Sequence, residues 1–395
     1  MLHKARAIES EIIRLRREIH RHPELAFQEV RTAALVADTL REIGGIRIRT
    51  GVGKTGVVGE LGAGDGPTIA IRADMDALPI VEDSGVPFAS EVPGNMHACG
   101  HDAHTAILLG VAHLMKQEFA EGGLKGRVRF LFQPAEEAAD EEGVSGAPRM
   151  IEDGALEGVD AVIALHVDST MPVGTIGLKQ GPSSAAVDSF RGYITGTGGH
   201  GAYPHQGTDP LWMLLPVMQA LHGIVARQVD PIKPAVVSLG VVRGGTVSNV
   251  IPSEVYLEGT LRSFDPQVRE QLIADVERAF AVARHFGGDY RLQIERGYPA
   301  GANHPRVTAW IEQVIGDLLG EGAIDRSRAG MGAEDFAYMT QLAPGAMFNL
   351  GAQVPDGTYR AHHTPIFALE ESSFAIGAAV LAETTRRFLA GEVGV

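Results

Sequence analysis

The spacing of apolar residues divides the chain into two kinds of region. Up to about Gly181, short apolar runs rich in β-branched residues alternate with longer runs that have helical spacing. The strand-like runs read PTIAIRAD, GRVRFLFQP and DAVIALHV, and the helical run after the first of them reads TAILLGVAHLMKQEFA. Such alternation is typical of a buried sheet with helices on its faces, so the sequence predicts an α/β fold.

A different order of elements follows Gly181. A strand (VDSFRGYITGTG) is followed by a helix (PLWMLLPVMQALHGIVARQ), two strands (AVVSLGVVRGG and SEVYLEGTLRSF), a second helix (DPQVREQLIADVERAFAVARHFGG) and a last strand (DYRLQIERG). The order β-α-β-β-α-β is that of a ferredoxin-like unit. Two further helical runs come after it. We therefore expect residues 183–299 to form a ferredoxin-like domain inserted into a mixed-sheet α/β domain of residues 1–182 and 300–395.

Composition and charge limit the possible partners. Hydrophobic residues make up 45% of the chain and charged residues 21%, as in ordinary globular proteins. The 34 basic and 49 acidic residues give a net charge of −15, which argues against a nucleic-acid partner. The longest apolar runs are too short to span a bilayer, so we expect no membrane partner either.

The cellular compartment is indicated by the N-terminal stretch and the cysteine content. The first twenty residues have apolar positions at helical spacing and lack the apolar core of a signal peptide. The single cysteine, Cys99, excludes an intramolecular disulfide bond and fits a reducing compartment. We therefore expect a cytoplasmic protein.

One glycine-rich stretch, GVGKTG, has the spacing of a dinucleotide-binding fingerprint. A phosphate loop would need a glycine five residues before Gly53, and Ile48 occupies that position. The dinucleotide fingerprint needs a helix after it, whereas the following TGVVGELG has the pattern of a strand. We therefore expect no nucleotide site here.

The stretch MHACGHDAHT combines a thiol with imidazoles. Cys99 and His101 are two residues apart, so they would not share a helix face and must lie in a loop if both act on one centre. Gly100 between them permits such a turn. Thiolate and imidazole are good ligands for zinc and similar metals. On this stretch alone, a buried inert thiol beside surface histidines is an equally good interpretation.

Further candidate ligands follow the predicted strands. Asp74 and Asp76 come directly after one strand, Glu136 and Glu137 after the next, and His166 ends a third. In sheets of this kind, functional sites collect at the carboxyl ends of the strands. The sequence therefore predicts a metal site at that edge.

The two adjacent glutamates suggest a division of roles. Neighbouring carboxylates repel, and one of them tends to hold a proton unless a cation lies close by. A divalent metal would bind one carboxylate and leave the other as a general base towards water. The alternative, a solvated acidic loop, is our interpretation of Asp140, Glu141 and Glu142 only.

In these motifs and several others, the chain resembles the M20-type metallopeptidases of the amidohydrolase branch. That branch includes hippurate hydrolases, N-acyl-amino-acid amidohydrolases and auxin-conjugate hydrolases. The matching stretches run in family order from residue 15 to residue 367, and together they are highly specific. They are LRREIHRHPELAFQE, RADMDALP, MHACGHDAHTA, FQPAEE, ALHV, GGHGAYPHQGTDP, VSNVIP, GTLRSF, GAEDFAYM and HHTPIF.

The resemblance implies a centre of two divalent metal ions, which could be zinc, manganese, nickel or cobalt. The implied ligands are Cys99, His101, Glu137, His166 and His363. His363 is taken rather than His362 because the family's ligand directly precedes a step of the type Thr364–Pro365. Glu136 matches the family's general base, and Asp76 matches an aspartate that orients a ligand. Asp74, where related branches have a ligand histidine, is interpreted as a supporting residue.

For the inserted domain, the resemblance implies a lid that joins subunits into a homodimer or a higher homo-oligomer. His200 would reach the active site of the second subunit and stabilise the oxyanion, although its glycine-rich surroundings could be a simple hairpin connection. Asn249 and Arg262 resemble residues that hold the substrate carboxylate, a task that suits the guanidinium fork. An ordinary surface position is the alternative for Arg262.

The resemblance implies hydrolysis of N-acyl-L-amino acids, either hippurate-like or N-acetylated, to a carboxylic acid and a free amino acid. A dipeptidase or carboxypeptidase of the same family is one alternative. A hydrolase with Cys99 as nucleophile is another, and it would be inactivated by thiol alkylation but not by chelators. A metal-binding protein without catalysis is a third.

Overall fold

The computed structural model describes residues 1–327 and 330–394. Two compact units are formed by the described residues of this chain. The first comprises Met1–Ser183, Ala302–Ala329 and Tyr338–Val395, and the second comprises Ser184–Gly301 and Gly330–Ala337.

The described part of the chain contains ten α-helices and sixteen strands. The helices are α1 (Leu2–Ala7), α2 (Glu9–Arg21), α3 (Val30–Ile43), α4 (His101–Glu121), α5 (Gly146–Glu152), α6 (Pro210–Gln228), α7 (Pro266–Ala281), α8 (Pro305–Leu319), α9 (Phe336–Thr340) and α10 (Phe374–Leu389). The strands are β1 (Arg47–Val52), β2 (Gly56–Ala63), β3 (Thr68–Asp74), β4 (Gly126–Gln133), β5 (Ala161–Asp168), β6 (Ile176–Gly177), β7 (Gly181–Ser184), β8 (Ala186–Thr195), β9 (Gly199–His200), β10 (Ala235–Gly244), β11 (Val250–Ile251), β12 (Glu254–Ser263), β13 (Asp289–Arg296), β14 (Gly301–Asn303), β15 (Ile324–Asp325) and β16 (Gly345–Gly351). Within the described ranges, none of the helices combines the length and apolar character needed to cross a bilayer.

The first unit is built on a mixed eight-stranded sheet in the order β1-β2-β4-β3-β5-β16-β6-β15. The neighbours β4, β3, β5 and β16 at its centre are parallel, whereas β1, β2 and β4 pair antiparallel. Every residue of β3 is buried, as expected for a central strand covered on both faces. The prediction of an α/β unit with a mixed sheet is confirmed.

The site region follows from the register of the parallel strands. Asp74 at the end of β3 pairs with Gln133 at the end of β4, and β5 runs parallel to β3 on its other side. Because their carboxyl ends meet at one edge of the sheet, the segments that follow Asp74, Gln133 and His166 share that edge.

Helix α4 begins at this edge, and its residues 101–112 are all buried. It packs on β3 and against α2 and α10, which explains why its apolar residues surround the helix instead of forming one stripe. Gly100 precedes it with a φ of 96°. A Cβ atom on Gly100 would lie 2.3 Å from the Val167 side chain, so the turn requires glycine.

Two local predictions can be compared with the structure. The N-terminal helical run is divided into α1 and α2 at Ile8, a break that the apolar spacing does not reveal. Ile12, Leu15 and Ile19 are buried on the predicted face. The GVGKTG stretch forms the turn between the antiparallel strands β1 and β2, so the strand predicted directly after it is confirmed.

The second unit contains a four-stranded antiparallel sheet in the order β10-β12-β8-β13. Helices α6 and α7 pack together and against this sheet. Each begins with an Asp-Pro step, and the carboxylates of Asp209 and Asp265 accept hydrogen bonds from the first backbone N–H groups of their helices. Residues Gly330–Ala337, which the predicted boundaries leave outside the inserted domain, pack with this unit.

Candidate metal centre

One group of possible ligands joins Cys99 to two histidines. The Cys99 Sγ atom lies 3.5 Å from His166 Nε2 and 3.8 Å from His362 Nδ1. His166 Nδ1 lies 2.7 Å from the Val167 carbonyl oxygen, to which it donates, so the Nε2 lone pair faces Cys99. A thiolate and two imidazole nitrogens in this arrangement are a donor set suited to zinc or a similar metal.

The pKa of the Cys99 thiol helps to distinguish a metal ligand from a nucleophile. Burial, together with the negative charge of Glu137, raises the pKa of the Cys99 thiol well above its usual value. Cysteine nucleophiles have lowered pKa values, whereas a bound metal deprotonates a thiol outright. The surroundings of Cys99 therefore favour a ligand over a nucleophile.

The second group centres on His101. Its Nδ1 lies 3.1 Å from Asp76 Oδ1, and its Nε2 lies 3.9 Å from Glu137 Oε1. His101 Nε2 is buried and, among the residues that the structure describes, has no hydrogen-bond partner. A buried nitrogen without a partner is costly, and a metal ion would satisfy it. The residues present therefore fit a divalent metal.

Asp76 fixes two candidate ligands at once. Besides its contact with His101, its Oδ2 accepts a hydrogen bond from the Glu137 backbone N–H at 2.9 Å. A carboxylate that orients a ligating imidazole sets which ring nitrogen is free for the metal. This geometry is the one that the predicted role of Asp76 requires.

Glu137 and His363 meet on the other side of the centre. His363 Nε2 lies 3.0 Å from Glu137 Oε1, and the His363 backbone N–H donates to the Ala98 carbonyl oxygen at 2.9 Å. Burial alone would raise the pKa of Glu137, but its close contact with His363 and the charge of His101 lower the pKa to about 2. Donor atoms of Glu136, Glu137 and His101 lie within 4.8 Å of one another.

Asp74 and His104 form a neighbouring pair that supports the centre. His104 Nε2 accepts a hydrogen bond from the Val167 backbone N–H at 2.9 Å, so Nδ1 carries the proton and donates to Asp74 Oδ1 at 2.6 Å. Arg72 donates to the other Asp74 oxygen at 2.7 Å. Asp74, His101 and His104 are close enough to hold a metal, but these hydrogen bonds already occupy both His104 nitrogens. The geometry therefore favours a supporting role for Asp74 and His104.

The structure brings together the predicted site residues of the first unit. These are Asp76, Cys99, His101, Glu136, Glu137, His166 and His363. His104 and His362 are not among the ligands that the resemblance implies. The structure places His362 beside Cys99, where it is a further candidate ligand, and His104 beside Asp74, where it supports the centre. The two adjacent histidines before Thr364 were the feature of the sequence that could have indicated His362 as a candidate ligand. Nothing in the sequence pointed to the contact between His104 and Val167.

The other predicted residues lie in the second unit. His200 in β9 pairs with Val250 in β11, and Asn249 directly precedes that strand. Gly201 N–H donates to the Asn249 carbonyl oxygen at 2.8 Å, so His200 and Asn249 are held on neighbouring segments. Arg262 is half-buried in β12, and its guanidinium donates to Thr260 and to the Leu261 carbonyl oxygen.

Sulfur, imidazole and carboxylate donors clustered at the carboxyl edge of a mixed α/β sheet fit a metal-dependent hydrolase. The model of peptidase family M20/M25/M40 matches residues 70–387, and the chain belongs to this family. The resemblance seen in the motifs is thus confirmed.

Individual relatives agree with this assignment. The chain is 42% identical over 387 residues to an N-acetyl-L-cysteine deacetylase of Bacillus subtilis (strain 168), covering 97% of this chain and 89% of the relative. It is 39% identical over 378 residues to thermostable carboxypeptidase 1 of Saccharolobus solfataricus, covering 94% of both chains. The crystal structure of the Bacillus subtilis YXEP protein, described as a dinuclear metal-binding peptidase, superposes with a TM-score of 0.83 at 36% identity, covering 97% of this chain and 99% of that one. The chain is therefore a metal-dependent hydrolase of amide or peptide bonds, and it fits the amidohydrolase branch of the family.

Proposed function

We propose that the protein hydrolyses N-acyl-L-amino acids, hippurate-like or N-acetylated, to a carboxylic acid and a free amino acid. The observation that carries the proposal is the cluster of sulfur, imidazole and carboxylate donors with Glu136 beside it. Two divalent ions held by Cys99, His101, Glu137, His166 and His363 would supply Lewis-acid chemistry, polarising the amide carbonyl and acidifying water. The ions could be zinc, manganese, nickel or cobalt.

Glu136 is proposed to carry the proton through the reaction. Its neighbour Glu137 faces His101 and His363, which leaves the Glu136 carboxylate as the candidate base of the pair. Glu136 would accept the proton from the attacking water and return it to the leaving amine. Asp76 would hold His101 and the Glu137 backbone in place throughout.

His200 is proposed to stabilise the oxyanion in the active site of a second subunit. The Ala202 backbone N–H donates to His200 Nδ1 at 3.0 Å, so in the neutral ring Nε2 carries the proton. His200 is exposed, and an exposed N–H group of this kind is a suitable donor to a developing negative charge.

The substrate carboxylate is proposed to bind at Arg262 and Asn249. Within the part of the chain that the structure describes, no carboxylate forms an ion pair with Arg262. A half-buried guanidinium without such a partner retains its capacity for a bidentate contact with a carboxylate.

The second unit is proposed to be a ferredoxin-like lid and dimerisation domain. Its strand order and its two helices support the fold assignment. Large apolar side chains are exposed on α6 and near the β10 edge, which supports a homodimer or a higher homo-oligomer. These are Leu211, Trp212, Leu215, Val242, Val247 and Val250.

A carboxypeptidase or dipeptidase activity is the second candidate function. The similarity to thermostable carboxypeptidase 1 supports it, and a peptide also presents a carboxylate for Arg262. The two candidates differ only in the acyl side of the scissile bond.

A substrate panel separates these candidates. Purified protein would be assayed with N-acetyl, N-benzoyl and N-indoleacetyl amino acids and with dipeptides, before and after chelation and after metal is restored. The proposal predicts faster hydrolysis of N-acyl amino acids, lost on chelation and regained with metal. Preference for dipeptides would favour the second candidate, and activity that survives complete metal removal would favour Cys99 as a nucleophile.

A further inference from the structure

Glu29 is a buried carboxylate that the proposed mechanism does not use. It directly precedes α3, and its side chain is fully buried. Its Oε1 accepts hydrogen bonds from the backbone N–H groups of Phe27 at 3.0 Å and Ala135 at 2.8 Å. Its Oε2 accepts one from the Thr55 hydroxyl at 2.5 Å. One side chain thus ties together three segments that are distant in sequence.

The Ala135 contact reaches the turn that presents the two glutamates. Ala135 has a φ of 46°, in the left-handed region that residues with a Cβ atom rarely adopt. Such a conformation is strained and persists only where the surroundings hold it. Contacts with neighbouring segments must therefore hold Ala135 in this conformation.

Three hydrogen bonds restrain the turn from different sides. Glu29 accepts from Ala135 N–H, the Ala135 carbonyl oxygen accepts from Gly146 N–H at 2.9 Å, and Asp76 accepts from Glu137 N–H at 2.9 Å. Gly146 approaches so closely that a Cβ atom there would lie 1.6 Å from the Pro134 carbonyl oxygen. Glu136 lies between the restrained points.

We propose that Glu29 is a positioning residue for hydrolysis, because its carboxylate holds the strained turn that places Glu136. The inference rests on the proposed role of Glu136 as the base. Glu29 does not touch the substrate; it acts through the Ala135 backbone. A misplacement of about 1 Å at a reacting group can lower a rate by about a hundredfold, so the effect should appear mainly in kcat.

The chain offers a matched control in Glu24. Its carboxylate also accepts three hydrogen bonds, from Arg31 N–H, Thr32 N–H and the Thr32 hydroxyl at the start of the same helix. None of these contacts reaches the turn at Ala135. Glu24→Ala should therefore lower stability without changing kcat by more than about twofold, whereas Glu29→Ala lowers both.

Two conservative variants separate geometry from folding. Glu29→Gln keeps an oxygen for both backbone N–H groups, and the Thr55 hydroxyl can accept from the new amide. Glu29→Asp keeps the carboxyl group but is one methylene too short to reach Ala135. We expect kcat per bound metal to fall about tenfold or more in Glu29→Asp and Glu29→Ala, and to stay within about threefold in Glu29→Gln, with KM within about threefold throughout.

The experiment is steady-state kinetics on the metal-loaded full chain, with metal content and unfolding midpoints measured on the same samples. The ordering expected for the Gln, Asp and Ala variants supports the inference. Normal kcat in Glu29→Asp would overturn it, as would equal losses in Glu24→Ala and Glu29→Ala. If Glu29→Ala does not fold, the comparison of kcat between Glu29→Asp and Glu29→Gln is sufficient to test the inference. Failure of the proposed function would appear separately, as normal turnover in Glu136→Gln.

Discussion

Four candidate ligands in the first unit, His101, Glu137, His166 and His363, are held by a second side chain or by the backbone. Asp76 orients His101, the Val167 carbonyl orients His166, and the Ala98 carbonyl fixes the backbone of His363. Preorganised ligands lose little conformational entropy when a metal binds. The affinity for metal should therefore depend on the neighbouring groups that fix the ligands as well as on the ligands themselves.

The pH dependence of stability provides a test at Glu29. Burial raises the pKa of Glu29 from its usual 4.5 to about 7, and the Thr55 hydrogen bond opposes the shift. Because the pKa is raised, the folded state binds the Glu29 proton more tightly than the unfolded state does. Proton binding at Glu29 therefore stabilises the protein, and this stabilisation is fully present below pH 4.5. It is lost as the pH rises through 7. Over that window the loss is on the order of 3 kcal/mol.

Urea unfolding from pH 4.5 to pH 8 measures this effect, with chelator present throughout so that metal binding does not contribute. Glu29→Gln cannot ionise, so the difference between wild type and variant should change by roughly that amount over the window. A difference that does not change with pH would show that the pKa of Glu29 is not raised.

Some residues of the site could be predicted from the sequence because they follow predicted strands, and others could not because they act through distant contacts. Asp76, Glu137 and His166 follow strands that the apolar pattern predicts, so their convergence could be expected from the sheet rule. His104 and Glu29 act through contacts with the backbones of Val167 and Ala135, which lie far away in sequence. Such contacts depend on the three-dimensional register of the sheet, and no local pattern predicts them.

At the scale of elements, the start of α4 is the critical junction. Gly100 separates Cys99 from His101 and turns the chain into the helix with a φ that favours glycine. Residues 101–112 of the helix are all buried, so its first turn cannot shift without disturbing the core. The position of the Cys-x-His pair is thus coupled to the packing of the first unit.

Gly100→Ala tests this coupling. The new methyl group would meet Val167 at 2.3 Å and also force a left-handed alanine, so we expect a loss of about 2–4 kcal/mol in unfolding free energy and a lower metal content. Gly85→Ala is the matched control, since Gly85 has a φ of 73° and open space around its Cβ position. It should cost about 1 kcal/mol and leave the metal content unchanged. Equal effects of the two substitutions would argue against the coupling.

Most long elements could be predicted from the sequence because their signals are local. The Asp-Pro steps gave the start of α6 and α7, and continuous apolar runs gave the central strands β3, β4 and β5. The break at Ile8 and the two-residue strands β6 and β15 were not predicted. Two-residue strands have no periodicity to detect, since their pairing is imposed by the neighbouring β16 and the rest of the sheet.

At the scale of the whole molecule, the proposed lid requires more than one subunit. If His200 acts in the active site of a second subunit, a subunit lacking Glu136 can still donate His200, and a subunit lacking His200 can still supply Glu136. Mixed oligomers of Glu136→Gln and His200→Ala subunits should therefore contain some complete sites. We expect activity to rise above that of either variant alone.

Hybrid formation would be verified by separating differently tagged subunits, with each variant carried through the same mixing alone as its control. An activity no higher than the sum of the two parents, in samples with confirmed hybrids, would place His200 outside the second subunit's reaction.

The assignment of Glu136 as the base is tested by Glu136→Gln, assayed for metal content and for turnover of an N-acyl amino acid in the same samples. Wild type that has been chelated and then reloaded with metal is the control. We expect metal content equal to that of wild type and turnover lower by about a hundredfold or more, since general acid–base catalysis contributes about that much. Near-normal turnover per bound metal would contradict the assignment of Glu136 as the base.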